Sequence, residues 1–448
     1  MLTPEQAKDR ANDLVERARR AGADAADAIY AANASEGIQV RLGKLEDVER
    51  SESEHIALRL FVGRRSASIG SSDLSPQALD ELAERAISMA RLAPEDAYAG
   101  LAPEELLSHG PYPELDTCDT DAPSPQQLRE IAEAGEDAAR AVAGVTNSDG
   151  ASASQGGGVF ALATSHGFAG GHASTSHSIS VSVVAGEGGA KQRDNAWRQA
   201  HHRADLPSAA EIGTLAGERA VSRLNPGRVR SGPMPVVFDP RVSSTLVGHL
   251  LGAMSGNAIA RRSSFLLDRL GEQILPPGTV IGEDPHRPRG LRSRPFDGEG
   301  LATRARNLVE DGRVTGWLLD TAAARQLGME PTGHAARSGG GSPSVSVSNV
   351  HFAAGDVSPE ELIADIADGI YVTELIGQGV NGVTGDYSRG ASGLRIVDGK
   401  FAGPVAELTV AGNLLSMYAN MRAANDLEWH RAINVPTLRV DGMTVAGD

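Results

Sequence analysis

Twelve histidines and a single cysteine make metal and nucleophile chemistry the first questions this sequence raises. His166, His172 and His177 are six and five residues apart in a Ser/Gly-rich stretch, and His201 and His202 are adjacent. Neither spacing is that of a helical ligand pair such as His-Glu-x-x-His. His249 in Val247-Gly248-His249-Leu250 and His334 in Pro331-Thr332-Gly333-His334-Ala335 stand beside glycines that permit close approach. For both, a hydrogen-bonded structural histidine is the favoured reading. Cys118 lies among Asp116, Asp119 and Asp121, whose charges raise a thiol pKa, so no reactive thiolate is expected there. Gly390-Ala391-Ser392-Gly393 and Met254-Ser255-Gly256 lack the frame of a serine nucleophile elbow, and neither a phosphate-binding P-loop nor a dinucleotide fingerprint is present. The most unusual phrase runs from Gln378 to Gly390, QGVNGVTGDYSRG. It reads equally as a turn-rich strand connection or as a loop that meets a peptide, with Gly385, Asp386, Tyr387 and Arg389 as contacts.

The elements that must carry these residues are legible from caps and periodicity. Thr3, Pro4 and Gln6 form a helix start, and Ala7, Ala11, Leu14 and Ala18 continue an apolar stripe to about Gly22. Residues 28–32, 37–42 and 55–61 read as strands, with Gly63-Arg64-Arg65 as a hairpin turn before 66–70, and Ser75-Pro76 opens a helix to about Leu92. The prolines and acids of 111–125 form a linker before a helix from Ser124 to Val142. Period-2 runs between Val145 and Val184 predict antiparallel strands, followed by a helix over 208–224. Beyond Asn225-Pro226-Gly227 come a buried strand, Pro235 to Phe238, and a helix from Arg241 to about Ser255. Its face of Val242, Leu246, Leu250 and Met254, widened by Val247 and Leu251, is explained by core packing. Asp-Gly or Glu-Gly turns at 297, 299, 311, 398 and 441 predict a large antiparallel β-rich domain. The tract Ser338-Gly339-Gly340-Gly341-Ser342 reads as a mobile loop or, second, as a strand-edge spacer in a binding groove. The expected fold class is α+β: an α/β N-terminal domain (1–110), a mixed middle domain (111–227) and a β-rich C-terminal domain (228–448).

The chain has 448 residues, enough for a sizeable core in several domains. With 42 Lys and Arg against 58 Asp and Glu, its formal charge of -16 argues against nucleic acid or an anionic membrane as a partner. One cysteine excludes an internal disulfide framework and suits a reducing compartment, and the start lacks a secretory pattern, so a cytoplasmic protein is expected.

Five phrases together carry a resemblance: the 378–390 phrase, Gly248-His249-Leu250-Leu251-Gly252-Ala253, Arg262-Ser263-Ser264-Phe265-Leu266-Leu267-Asp268, Thr332-Gly333-His334-Ala335 and Val410-Ala411-Gly412-Asn413-Leu414. Over nearly its whole length the sequence resembles the PmbA (TldE) branch of the TldD/PmbA family. The resemblance implies an intracellular heterodimeric zinc metalloprotease, in which a TldD-type subunit is catalytic and the pair trims leader peptides and degrades unfolded small proteins. The family's catalytic subunit carries His-Glu-x-x-x-His on a helix and a cysteine near its C-terminus. With its second histidine placed on His249, Ser244 stands for the first and Thr245 for the glutamate, and no cysteine follows Cys118. A hydrolytic zinc needs about three protein ligands and a base for its water. The resemblance therefore implies no metal in this chain, zinc in the partner subunit, His249 as a vestigial ligand position and a role in shaping the substrate chamber. Two other readings stay open: a self-sufficient homodimeric hydrolase using another site, and a non-enzymatic protein that binds DNA gyrase.

Overall fold

A computed structural model describes residues 1–337 and 342–447; the 338–342 tract falls almost wholly outside the described residues. The helices begin where their caps dictate. Helix α1 (Pro4–Arg20) opens with a full Thr3/Gln6 capping box. Helices α2 (Pro76–Leu92), α3 (Pro125–Ala141) and α4 (Ala209–Ser222) start after Ser75, Ser124 and Ser208, whose hydroxyls accept from the third residue on.

The strands β1 (Ala25–Arg41), β2 (Lys44–Val62), β3 (Arg65–Ser71), β4 (Val145–Thr164), β5 (Ala169–Ala185) and β6 (Gln192–Ala200) form one sheet in the order β3-β2-β1-β4-β5-β6. The two short strands expected at 28–32 and 37–42 are one continuous strand. The polar stretch 44–54, which carries no strand signal, is the far half of β2, with Ser51 opposite Ser35 and Val48 opposite Ile38. It forms because β1 offers a complete row of backbone partners, not because a core lies beneath it: residues 44–54 are all exposed. β1 also pairs with β4 from Asp27–Thr164 to Val40–Ala151, so the proline-rich linker is spanned by one sheet.

Alternation divides the work of the two sheet faces. Ala28, Ile56, Leu58 and Leu60 pack under α1 and α2, and Ile38, Val40, Ile179 and Val181 under α3 and α4. Ile29, Ala57 and Leu162 face the other way and pack with Phe168, Phe296 and Leu301. On that same face Arg59 donates to Asp27 (2.8 Å) and reaches Glu299 (3.3 Å), while Arg337 donates to the other Asp27 oxygen at 2.6 Å. Burial pushes the Asp27 pKa up, but the two guanidiniums outweigh it and hold the group anionic.

The C-terminal part is built around β7 (Gly232–Phe238). Strands run in the order 400–413, 386–397, 368–376, β7, 438–446 and 421–423, and Thr409–Ala446 pairing joins 400–413 to 438–446, closing a barrel. The α+β class stands, but the barrel is mixed: Ile370–Val372 runs parallel to Val236–Phe238. The turns at 311 and 398 are hairpin turns as expected. Asp441-Gly442 is not; it is a bulge within the strand Leu438–Ala446, between Val440 and Met443. Asp297-Gly298 and Glu299-Gly300 form a compact buried turn in which Asp297 accepts from the amides of Glu299 and Leu301. No described helix is long and apolar enough to cross a membrane.

Candidate functional site

Helix α5 (Pro240–Ala253) leaves β7 through Asp239, whose carboxylate accepts from the Arg241 amide. Val242, Leu246, Val247, Leu250 and Leu251 are buried in the C-terminal core, and the Tyr418 hydroxyl donates to the Leu246 carbonyl at 2.9 Å. The opposite face carries half-buried Ser244, Thr245, Gly248 and His249 and exposed Gly252. A Cβ placed at Gly248 or Gly252 meets nothing within 4 Å, so this face borders open space. Thr245 spends its hydroxyl on the Val242 carbonyl one turn back, at 2.6 Å.

The 378–390 phrase crosses from the strand 368–376 into the strand 386–397, and its four flagged residues part company. Gly385 and Asp386 shape the loop. Gly385 has φ +80°, its amide donates to Asn381, and Asp386 accepts from Thr384 Oγ1 (2.7 Å) and Asn413 Nδ2 (3.3 Å). Those two hydrogen bonds hold the exposed Asp386 carboxyl below its ordinary range. Gly379 is small because Ser388 is there: a Cβ would lie 1.9 Å from the Ser388 carbonyl oxygen. Gly379 and Gly385 therefore answer to the loop's own backbone.

Tyr387 and Arg389 project instead toward His249. The Tyr387 ring, 1% exposed, meets the His249 ring edge-on with centroids 6.1 Å apart. His249 Nε2, Tyr387 Oη and Arg389 Nε are all buried with no hydrogen-bond partner among the described residues. The Arg389 guanidinium reaches the Leu375 carbonyl at a long 3.5 Å and also lies against the Tyr387 hydroxyl. Burial, reinforced by the Arg389 charge, lowers the His249 pKa, and burial raises that of Tyr387 to about 12 against the opposing pull of Arg389. The cluster thus holds a neutral imidazole, a neutral phenol and one cation. It borders an open depression of about 640 Å³ lined by 378–382 and 386–388. Buried polar atoms left over in this way are uncommon in native proteins.

A divalent metal does not fit here. Ser244 and Thr245 offer hydroxyls where carboxylate or imidazole would be needed, and Arg389 sets a positive charge against the one remaining imidazole. Among the described residues no group of three or more His, Cys, Asp or Glu stands in ligating range of a common point. Of the other histidines, His166 is tied to Thr164 and the Ala102 carbonyl, and His201 lies between the carbonyls of Thr175 and Gly290. His334 binds Thr332 Oγ1 and Glu283 Oε2, each at 2.7 Å. Cys118 is exposed, and burial of its sulfur followed by the Asp116 charge raises its pKa.

Family models for the three domains of PmbA/TldA metallopeptidases match this chain: domain 1 over 26–90, the central domain over 118–224 and the C-terminal domain over 231–447. The chain is 38% identical over 426 residues to the metalloprotease PmbA of Escherichia coli O157:H7, covering 95% of this chain and 92% of that one. The chain belongs to the PmbA/TldD family. A PmbA homologue of Haemophilus influenzae is 35% identical, covering 97% and 94%, and a TldD homologue of the same organism is 25% identical over 295 residues, covering 60% and 61%. Among solved structures, a putative modulator of DNA gyrase from Bacteroides thetaiotaomicron superposes with a TM-score of 0.91 at 28% identity, covering all of both chains. TldE from Thermococcus kodakarensis does so at 0.84 and 21%, covering 98% and 100%, a likeness of fold. Through its PmbA relatives the family membership carries a protease-type function.

The sequence marks Tyr387 and Arg389 as loop contacts and His249 as a vestigial ligand position, each separately. Their meeting had no signal in the sequence, because some 140 residues separate the helix from the loop. Missed altogether were Glu283 and the Asp27–Arg59–Glu299–Arg337 network.

Proposed function

We propose that this chain is the non-catalytic, PmbA-type subunit of a cytoplasmic two-subunit metallopeptidase that trims leader peptides and degrades unfolded small proteins. A TldD-type partner supplies zinc and the hydrolytic water; this chain supplies part of the wall of the substrate chamber. The observation that carries the reading is the His249–Tyr387–Arg389 cluster. The helix that bears the family's metal motif in a catalytic subunit here faces a guanidinium and a phenol, donors suited to a peptide's carbonyl or carboxylate oxygens. Gly248 and Gly252 leave the helix face open for a backbone to lie along it. The pairing of branches is supported by Haemophilus influenzae, which has relatives of both kinds.

The test mixes the purified chain with an unfolded peptide, with and without zinc and a TldD-type partner. Cleavage is expected only in the complete mixture, and elemental analysis of the desalted chain should find no stoichiometric zinc. Cleavage by this chain alone that survives repurification and is abolished by His249→Ala overturns the reading. Co-purification with gyrase, independent of any protease partner, is what the gyrase-binding alternative requires instead.

A further inference from the structure

At the seam between β6 and the C-terminal part lies a cavity of about 340 Å³ lined by Arg198, Arg287, Arg289, Arg431, Trp429 and His430. Asp205 is the one acid among its described lining residues, and it is already paired with Arg289 (3.0 Å), which also holds Asp116 at 2.6 Å. The other three guanidiniums are not neutralised in this way. Arg287 stacks 3.7 Å above the Trp429 ring and has no carboxylate within 4 Å among the described residues. Arg431 donates to His430 Nε2 (3.2 Å) and, at 3.5 Å, to the Arg241 carbonyl; Asp239 acts on it from a distance, and no carboxylate lies within 4 Å of it among the described residues. Arg198 has only Glu428 at 3.8 Å, a side chain 68% exposed and therefore weakly held.

His430 completes the set. Because its Nε2 accepts from Arg431, its proton is on Nδ1, and that buried atom has no hydrogen-bond partner; the Glu428 carboxylate stands 3.4 Å away without the geometry of a bond. Burial, then the charges of Arg198 and Arg431, lower the His430 pKa to about 4, so at neutral pH it is an uncharged donor. A chain with a net charge of -16 has thus gathered three guanidiniums without strong counter-ions around one cavity. Such an arrangement repels itself unless an anion joins it.

We propose that this cavity is an oxyanion-binding site, taking a carboxylate or phosphate group on Arg198, Arg287 and Arg431 with His430 Nδ1–H as a further donor. Planar guanidiniums match both groups in a fork geometry. The oxyanion has two sources: a free small anion, or an acidic residue of a bound peptide. The second rests on the peptide reading above, the first does not. Arg431 touches the first turn of α5, and His249 lies eight residues along that helix, about 12 Å at the helical rise. An extended peptide spans that distance in about four residues.

Calorimetry and thermal shift on the full chain decide it, with inorganic phosphate as one probe and a glutamate-containing peptide beside its glutamine counterpart as the other. Phosphate should bind with a dissociation constant of about 1 mM or below and raise the melting temperature. Arg287→Gln and Arg431→Gln should each weaken binding about tenfold without lowering the melting temperature of the free protein. Glu428→Gln should tighten it several-fold, roughly in proportion to the carboxylate it removes from competition. Preference for the glutamate peptide that is lost in Arg431→Gln assigns the site to a peptide residue. Phosphate binding with no such preference assigns it to a free anion and leaves the chamber reading untouched. Absence of binding by either probe, or binding indifferent to both arginine variants, overturns the proposal.

Discussion

His249 and His334 look alike in the sequence, each a histidine beside a glycine in an otherwise apolar phrase, yet they sit in opposite kinds of surroundings. Both His334 nitrogens are bonded, and its partner Glu283 accepts in turn from the Ser348 amide (2.6 Å) and hydroxyl (2.9 Å). His249, its neighbour Tyr387 and Arg389 each keep a buried atom with no partner. A closed account of donors and acceptors marks a residue that specifies the fold; an open one marks a residue that awaits something. Histidine content and glycine neighbours cannot separate the two, whereas hydrogen-bond accounting does.

The sharpest way to break this contrast is to try to restore catalysis. Ser244→His with Thr245→Glu should leave the isolated chain inactive on unfolded peptide, since Arg389 still opposes a cation and no thiolate ligand follows; turnover by that double variant would show that the open cluster is a metal site lacking only side chains. Next, Glu283→Ala strands His334 and Ser348 in the core and should cost roughly 3 kcal/mol in urea unfolding, against less than about 1 kcal/mol for His249→Ala. Equal losses would erase the distinction. In the assembled complex Arg389→Gln should raise KM about tenfold with kcat little changed, as expected for lost ground-state binding, while His249→Ala stays within a small factor of normal activity. A modest effect, about 1 kcal/mol of stability, is expected for Gly385→Ala, because φ +80° strains any side chain. A bulky β-branched residue there would test the loop backbone before it tested substrate.

Acid sharpens the same comparison. Burial pushes the Glu283 pKa up, but the bonds from His334 and Ser348 outweigh it and hold the group at about 2, below its ordinary 4.5. Its contribution is therefore complete above 4.5 and is lost as pH falls toward 2. Asp297 behaves oppositely: burial, then the Glu299 charge, raise it to about 7, so stability contributed through it declines as pH rises from about 4 to 7. Denaturant midpoints across pH 2–7 should show the acid-side loss, and Glu283→Gln should flatten that limb. No comparable limb is expected to change in His249→Ala.

How much of this was legible depended on whether the signal was local. α1 to α4 could be read because a serine or threonine cap, followed by a proline in α1 to α3 and by a capping-box glutamate in α4, states the start of a helix within four residues. α5 could be read because its apolar face repeats. The far half of β2 could not, since Lys44 to Glu54 is polar on both faces and owes its form to a partner strand. Asp441-Gly442 carries a hairpin signature that a barrel strand absorbed as a bulge. Nothing local marks Arg59 and Asp27 as interior; the fold makes them so by bringing Glu299 and Arg337 over them. For the site, the loop's chemistry was visible in Tyr387 and Arg389, but its division into backbone-shaping and inward-facing halves required the register of the strand that follows.

That buried quartet has a practical meaning for anyone who would cut the gene at its linkers. Asp27 and Arg59 belong to the first strands, Glu299 and Arg337 to the last third, and Phe168, Phe296 and Leu301 interlock beside them. A fragment ending near residue 227, or one starting there, would present to water a greasy plate studded with stranded charges, and each should be insoluble when made by itself. Produced together in one cell, the two pieces should find each other and reassemble, because each carries the missing counter-ions of the other.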